Sequence, residues 1–447
     1  MAKSSHIYRS PKLRVQFVVT SLPIGGAEIL LRDLVQRLDR TAFVPEVVCL
    51  KEPGELGDEM SQIAPTHARL LRGKWDIGVV VRLMRLFREQ RTDVVITIGA
   101  GDKMFWGRLA GKLAGVPVIC SALHSTGWPD GIGRLNRCLT PLTDAFIACA
   151  QNHAEYLRNQ ERLPSAKIAM IPNGVDTDRF RPNHTCRQRL RSELGIPREC
   201  PVVGIVAALR PEKNHSQFLA AASIVLQRYP QAHFVIVGDG PERPLIEQTA
   251  KELQLTERVH LLGRRGDTAL LLAGMNIFCL TSRNEANPVS ILEALACGVP
   301  VVSPDVGSVR ETVQHGQTGL LTEAMNAAST AEAILDLLGS SARSQALGLA
   351  GRQLVRNSWS IEGMVRGYEQ LMESLYNAKA HARGTPIWRR PLVDLQPIGV
   401  VSSTTWQPAM QKVTQEIDES TAKLDFVPLI GLADGLPAQE LSAVVSS

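Results

Sequence analysis

Runs rich in Val, Ile, Leu, Phe and Cys recur along this chain, each short enough for a buried strand, and most precede a stretch whose apolar positions fall at helical spacing. In the first half they lie at 14–20, 44–50, 93–98, 116–122, 145–150 and 168–171. From Pro201 the alternation restarts, at 202–208, 233–237, 259–262, 277–281 and 299–303. Strand and helix taking turns in this way predict an α/β fold with parallel, doubly wound sheets, here two Rossmann-like domains at 1–180 and 181–360. The link is expected near 181–198, after the Asn173-Gly174 turn, where Pro182 and Pro197 flank a short basic helix. A last strong helical pattern repeats Met364, Val365, Tyr368, Leu371, Met372 and Leu375, giving a C-terminal helix within 361–382. Residues 383–447 dissolve into Pro, Ser, Thr and Gln, with only a weak helical stretch at 410–424, and read as a partly disordered tail.

Composition narrows the function without choosing it. The 447 residues suit two or three domains, and a 44% hydrophobic content supplies their cores. A net charge of +5, spread along the chain, suits an anionic small substrate or a weak contact with an anionic membrane. Basic runs interleaved with aromatics are missing, so nucleic acid is not an expected partner. Eight cysteines are scattered without a CxxC pair or metal-ligand spacing, as buried reduced thiols of a cytoplasmic protein would be. Residues 1–12 lack the apolar centre of a signal peptide, and no apolar run nears the roughly 20 residues that span a bilayer. The amphipathic, basic stretch 75–91 fits a packed helix with a solvated basic face, or else a helix lying on a membrane surface.

Chemistry concentrates at 285–293, Glu-Ala-Asn-Pro-Val-Ser-Ile-Leu-Glu. An apolar strand ends before it, a loop runs to Pro288, and a helix opens at Val289 to be closed by Gly298 and Pro300. A helix start entered through Asn287 and Pro288 presents unpaired N–H groups and a partial positive charge, both favourable to phosphate. Glu293 is placed to accept hydrogen bonds from a ribose diol, and Glu285 from hydroxyls of a sugar beyond the phosphates. Spacing alone leaves open two solvated glutamates near a helix start, where acids are favoured anyway.

These residues, with Cys297-Gly298-Val299-Pro300 and the 307–311 segment, resemble the donor signature of the retaining family-four glycosyltransferases of GT-B fold. Further motifs agree in order: SLPIGGAE at 21–28, IPNGVDTDRF at 171–180, AALRPEK at 207–213 and VGDGPE at 237–242. The resemblance spans 13–379 and implies a first domain that binds the acceptor, a second that binds the donor, and a terminal helix crossing back to the first. It implies a metal-independent transferase (EC 2.4) that needs no cofactor. The sugar would move from a nucleoside-diphosphate sugar to a glycan, lipid-linked or other hydroxyl acceptor in cell-surface polysaccharide or glycolipid synthesis. Such an enzyme would be cytoplasmic, with a possible peripheral station on the inner membrane face.

Candidate roles follow residue by residue. Lys213, Glu285 and His124 are the candidate catalytic groups. Lys213 would set an ammonium against the donor phosphates as the glycosidic bond breaks. The family's turn usually carries Gly-Arg-Leu before that lysine; here Ala208 holds the arginine place and Arg210 stands two residues on, so either Arg210 substitutes or Lys213 works alone. Gly25 and Gly26 permit close backbone approach and open a helix facing the cleft, or simply make a tight turn. His124 ends a strand where open α/β sheets place ligand-contacting groups; a lone histidine there is often structural, but the resemblance sets a functional one near the transferred sugar. Gly263 and Arg264, followed by Arg265, match a loop that reads the base through backbone groups. No carboxylate is convincingly placed as a nucleophile and no DxD pair ends a donor-half strand, so front-face displacement without metal is expected. A sugar-nucleotide epimerase and a catalytically silent nucleotide-binding scaffold are the alternatives, the second favoured only by Ala208.

Overall fold

The computed structural model describes residues 12–73, 76–99, 101–124 and 133–381. Strands β1 (Leu13–Val19), β2 (Phe43–Cys49), β3 (Thr66–His67), β4 (Val94–Ile98), β5 (Val118–Ala122), β6 (Ala145–Ala148) and β7 (Ile168–Met170) form the sheet of the first lobe. Their order is β3-β2-β1-β4-β5-β6-β7, every pairing parallel. The second lobe repeats the plan with β8 (Val202–Val206), β9 (His233–Val237), β10 (Val259–Gly263), β11 (Ile277–Cys279), β12 (Val301–Pro304) and β13 (Gly319–Thr322). Here too all pairings are parallel, in the order β10-β9-β8-β11-β12-β13. Each expected strand is present within a few residues of its predicted ends. Two were not anticipated: β3 is only the polar pair Thr66–His67, and β13 sets just Leu320 and Leu321 between a glycine and a threonine, so neither carries an apolar run long enough to stand out.

Both sheets reverse their winding direction once, between β1 and β4 in the first lobe and between β8 and β11 in the second. Crevices open at such switch points, outside the carboxyl ends of the strands, and this is where open α/β sheets bind ligands. The glycine loop ending at Gly25 follows β1, while the loops bearing Lys213 and Glu285 follow β8 and β11 respectively.

Two crossings join the lobes, and they run side by side. Val175 N–H donates to Trp359 O at 2.9 Å, and Ile361 N–H donates to Val175 O at 3.0 Å. Gly174 makes that approach possible, because a Cβ there would stand 2.6 Å from both Ile361 Cα and Ser360 O. After the second crossing the helix Ile361–His381 returns to the first lobe. Its Ile361, Met364, Val365, Tyr368, Leu371 and Met372 share one buried core with Val15, Phe17, Leu34 and Ile96. Side chains of this size contribute about 1.5–3 kcal/mol each on burial, so the helix is an integral part of that lobe.

The helix Val79–Glu89 buries Val79, Leu83 and Phe87, one residue per turn, and leaves Val81 61% and the preceding Ile77 76% exposed. Seven of the eight cysteines are buried and unpaired, Cys138 being the exposed one. Among the described residues no helix is long and apolar enough to cross a membrane. Residues 1–11, Trp75, and everything from 382 onward, including the 410–424 stretch, lie outside the described residues.

Candidate active site

The chain after β8 turns sharply because Asn214 takes the left-handed conformation (φ 52°, ψ 52°) between a 3-10 turn, Pro211–Lys213, and the helix His215–Arg228. That turn is laced to the loop after β11. Thr281 Oγ1 donates to the carbonyls of Lys213 and Asn214, both at 3.1 Å, and Arg283 N–H donates to Glu212 O at 2.9 Å. So fixed, Lys213 Nζ reaches Glu285 Oε1 at 2.5 Å. The carboxylate is buried, its residue only 8% exposed, and the ammonium has two further N–H groups to offer a ligand. Glu285 is also held from behind. Its carbonyl accepts from Ser308 N–H at 3.1 Å, and Gly307 packs so closely on that carbonyl that a Cβ would lie 1.8 Å from the oxygen. Gly307 has φ +55°, so glycine suits the position on two counts.

From Glu285 the loop runs through buried Asn287 to Pro288, and the helix Val289–Ala296 begins with no side-chain cap. Asn173, beside the first crossing, donates from Nδ2 to Asn287 O at 3.0 Å and fixes that backbone. The Asn287 amide itself finds no partner for Nδ2 or Oδ1 among the described protein groups. A buried unpaired polar group costs about 1–3 kcal/mol, a cost that a bound ligand relieves. Opposite stands the helix Gly26–Arg37, also without a side-chain cap, with Gly25 extended at its entry. A Cβ on Gly26 would lie 3.6 Å from Val289 Cγ2, so the two helix starts abut across the cleft.

Glu293, one turn into its helix, is 7% exposed. Burial pushes its carboxyl up to about 8, against a lesser downward pull from Arg179 and Arg32 and a small upward push from Asp33. Arg32, Asp33 and Arg179 belong to the first lobe and the crossing, so Glu293 too faces the junction. Two residues past Lys213, His215 is 1% exposed with neither ring nitrogen partnered by a described protein group. Burial, aided by the Lys213 charge, holds its imidazole down at about 4, and therefore neutral.

The remaining candidates are placed as follows. His124 stands half-buried two residues beyond β5, at the same carboxyl end of the sheet as Gly25. The loop after it, 125–132, lies outside the described residues. Arg210 is exposed and its nearest acid is Glu212 on its own turn, at 4.0 Å, so its guanidinium is not joined to the Lys213–Glu285 pair. Gly263 ends β10 with φ +63°, and its carbonyl accepts from Gly238 N–H at 2.9 Å. Arg264 ion-pairs across the cleft with Glu55, whose other oxygen accepts from Ile24 N–H at 3.1 Å in the glycine loop. Arg265 turns away to Glu193 and Asp267.

Glu55, Asn173 and His215 were not among the sequence candidates. Asn173 sits in the 171–180 motif, where its sequence context signals only a turn, and Glu55 gains meaning from partners on other elements, Ile24 and the far more distant Arg264. No group of three or more His, Cys, Asp or Glu able to hold a metal ion occurs among the described residues. A surface hollow lined by Asp305, Arg310, His315 and Thr322 contains none of the candidates.

Paired Rossmann-like lobes, here with the Lys213–Glu285 pair and two uncapped helix starts between them, are the GT-B architecture found among glycosyl-transferring enzymes. Comparison with known proteins agrees. The glycosyltransferase family 4 model matches residues 24–179 and the glycosyl transferases group 1 model matches 187–354. A mannosyltransferase of Corynebacterium glutamicum, GDP-mannose-dependent and acting on a monoacylated phosphatidylinositol monomannoside, is 31% identical over 372 residues, 78% of this chain and 95% of that one. An Escherichia coli α-1,3-galactosyltransferase acting on GlcNAc-diphosphoundecaprenol is 27% identical, covering 72% of this chain and 86% of its own. The Anabaena HepE crystal structure with UDP and glucose superposes with a TM-score of 0.72 at 23% identity, over 81% of this chain and 100% of HepE. The chain belongs to the family-four glycosyltransferases.

Proposed function

We propose that the protein moves a sugar from a nucleoside-diphosphate sugar to a hydroxyl of a lipid-linked or glycolipid acceptor, with retention of anomeric configuration and without a metal ion. The observation that carries this is the pair of half-buried Lys213 with buried Glu285, 2.5 Å apart at the switch point of the second sheet, beside the helix starts at Gly26 and Val289. Backbone N–H groups of both helices and two N–H groups of Lys213 supply the cationic surroundings that a diphosphate requires. Glu285 keeps Oε1 on the lysine and offers Oε2 to sugar hydroxyls, while the enclosed Asn287 amide offers both a donor and an acceptor. Glu293 takes the ribose diol, and Gly263 and Arg264 border the base. His124 contacts the transferred sugar from the first lobe.

In this scheme the bond from the anomeric carbon to the phosphate oxygen breaks first, its electron pair leaving with the diphosphate under the field of Lys213 and the helix starts. The acceptor oxygen adds from the same face, and its proton passes to the departing phosphate. Preorganised charge at the leaving group is the main source of acceleration in such a step.

The acceptor class is taken from the relatives, which act on a phosphatidylinositol monomannoside and on GlcNAc-diphosphoundecaprenol. A peripheral membrane station fits the exposed Ile77, Val81 and Arg85 on and beside the Val79–Glu89 helix, an apolar and basic face left after Val79, Leu83 and Phe87 are buried. Thermal-shift titration with UDP, GDP, ADP and their sugars tests the donor: one series is expected to stabilise the protein in proportion to its affinity. No stabilisation by any nucleotide would sink the proposal. Conversion of the sugar nucleotide to an isomer without acceptor would mark an epimerase.

A further inference from the structure

The helix Gln151–Asn159 in the first lobe begins without a cap of its own. Ala150 occupies the N-cap position in extended conformation and offers no side-chain acceptor. The second lobe supplies one instead. Glu311 Oε2 accepts from Gln151 N–H at 2.9 Å and Glu311 Oε1 accepts from Asn152 N–H at 2.7 Å, so one carboxylate takes the first two free amides of the helix. Asn152 answers by donating from Nδ2 to Gly307 O at 3.0 Å. Within the same short segment Ser308 N–H holds the carbonyl of Glu285 at 3.1 Å.

We infer that Glu311 is a positioning residue for the transfer: by capping a first-lobe helix from the second lobe it holds the cleft closed, and through Gly307 and Ser308 it fixes the backbone that presents Glu285. The inference rests on Glu285 being a donor contact, as proposed above. Its geometry has a simple logic. The carboxylate finds both amides only when the lobes are together, and the turn between Glu311 and Gly307 is rigid: Glu311 N–H donates to Ser308 O at 3.1 Å, and Ser308 is 1% exposed. Closure in register and placement of Glu285 are therefore one event.

The full chain as Glu311→Ala, and as Glu311→Ala with Ala150→Ser, separates positioning from mere helix capping. Serine at 150 gives the helix a cap from its own lobe, restoring local stability without rebuilding the tie between lobes. Hydrogen exchange is read at the start of the 151–159 helix and across the 281–288 loop without ligand, and affinity is measured for UDP-glucose, GDP-mannose and ADP-glucose. Glu311→Ala is expected to raise exchange in both segments and to weaken binding of the preferred sugar nucleotide roughly 10-fold or more, the fold-change of about one charged hydrogen bond. The double variant is expected to recover protection in the helix alone. Recovery of both segments and of affinity would reduce Glu311 to a cap and overturn the inference, as would unchanged exchange at 281–288 in Glu311→Ala. Loop exchange that rises with sugar-nucleotide affinity unchanged would leave the tie standing and remove the donor-site role of Glu285 instead.

Discussion

Replacing Glu293 with glutamine keeps its shape and removes its ionisation, and the surroundings of Glu293 make the outcome calculable. Burial holds the carboxyl at about 8, against an ordinary 4.5 in the unfolded chain. The folded state therefore binds one proton more than the unfolded state between those values, and stability falls as pH rises from about 4.5 to about 8. At about 1.36 kcal/mol per pH unit, the two and a half units between the ordinary value and pH 7 correspond to a deficit on the order of 3 kcal/mol. Glu293→Gln abolishes that deficit. Melting temperatures of ligand-free wild type and variant should coincide near pH 4.5, then diverge in favour of the variant up to pH 8. Parallel curves across that range would refute the claim that Glu293 is held neutral. Nucleotide binding should move the opposite way. A ribose diol donating to the carboxylate favours its ionised form, so wild-type affinity should rise from pH 6 to pH 8 with proton release. In the variant that slope should vanish and affinity should drop by roughly 10- to 150-fold, the equivalent of about 1.5–3 kcal/mol for a hydrogen bond to a charged acceptor. Equal nucleotide affinity in the two proteins at pH 8 would end the ribose assignment.

Three further outcomes are expected. Lys213→Ala should lower kcat/KM by roughly 10- to 150-fold, mostly in kcat, because the ammonium acts on charge that develops as the diphosphate leaves; a change confined to KM would assign Lys213 to uniform donor binding. Transfer should survive EDTA undiminished, and activity lost to chelator and restored by magnesium would contradict the metal-free scheme. In liposome flotation the protein should rise with vesicles containing anionic lipid, and Ile77→Ser with Val81→Ser should keep it at the bottom; equal flotation of the two would place the membrane contact elsewhere.

The sheets were legible because parallel strands buried on both faces are mostly apolar, and short runs of that kind recur between stretches of helical spacing. Where that signature fails, as at Thr66 and Gly319, the strands went unseen. Glu285, Lys213 and Glu293 were legible as types at spacings, and the cleft brings Lys213 to Glu285 across seventy-two positions. Contacts between lobes were not. Nothing near Glu55 announces Arg264, and nothing near Glu311 announces the amides of Gln151 and Asn152, because such pairs exist only once two separately wound sheets have met. Arg210 illustrates the same limit: its position suggested a substitute guanidinium, and its nearest acid proves to be Glu212 on the same turn.

The paired crossings at Val175 and Ser360 govern how this enzyme can breathe. Two separate strings would let the halves drift apart in any direction; a ladder rung shared by both strings allows only swinging about that rung. Displacement then grows with distance from the axis. In such a swing the groups beside the rung would move least, and an ion pair that joins the lobes elsewhere, such as Arg264 with Glu55, would have to part before the cleft could open.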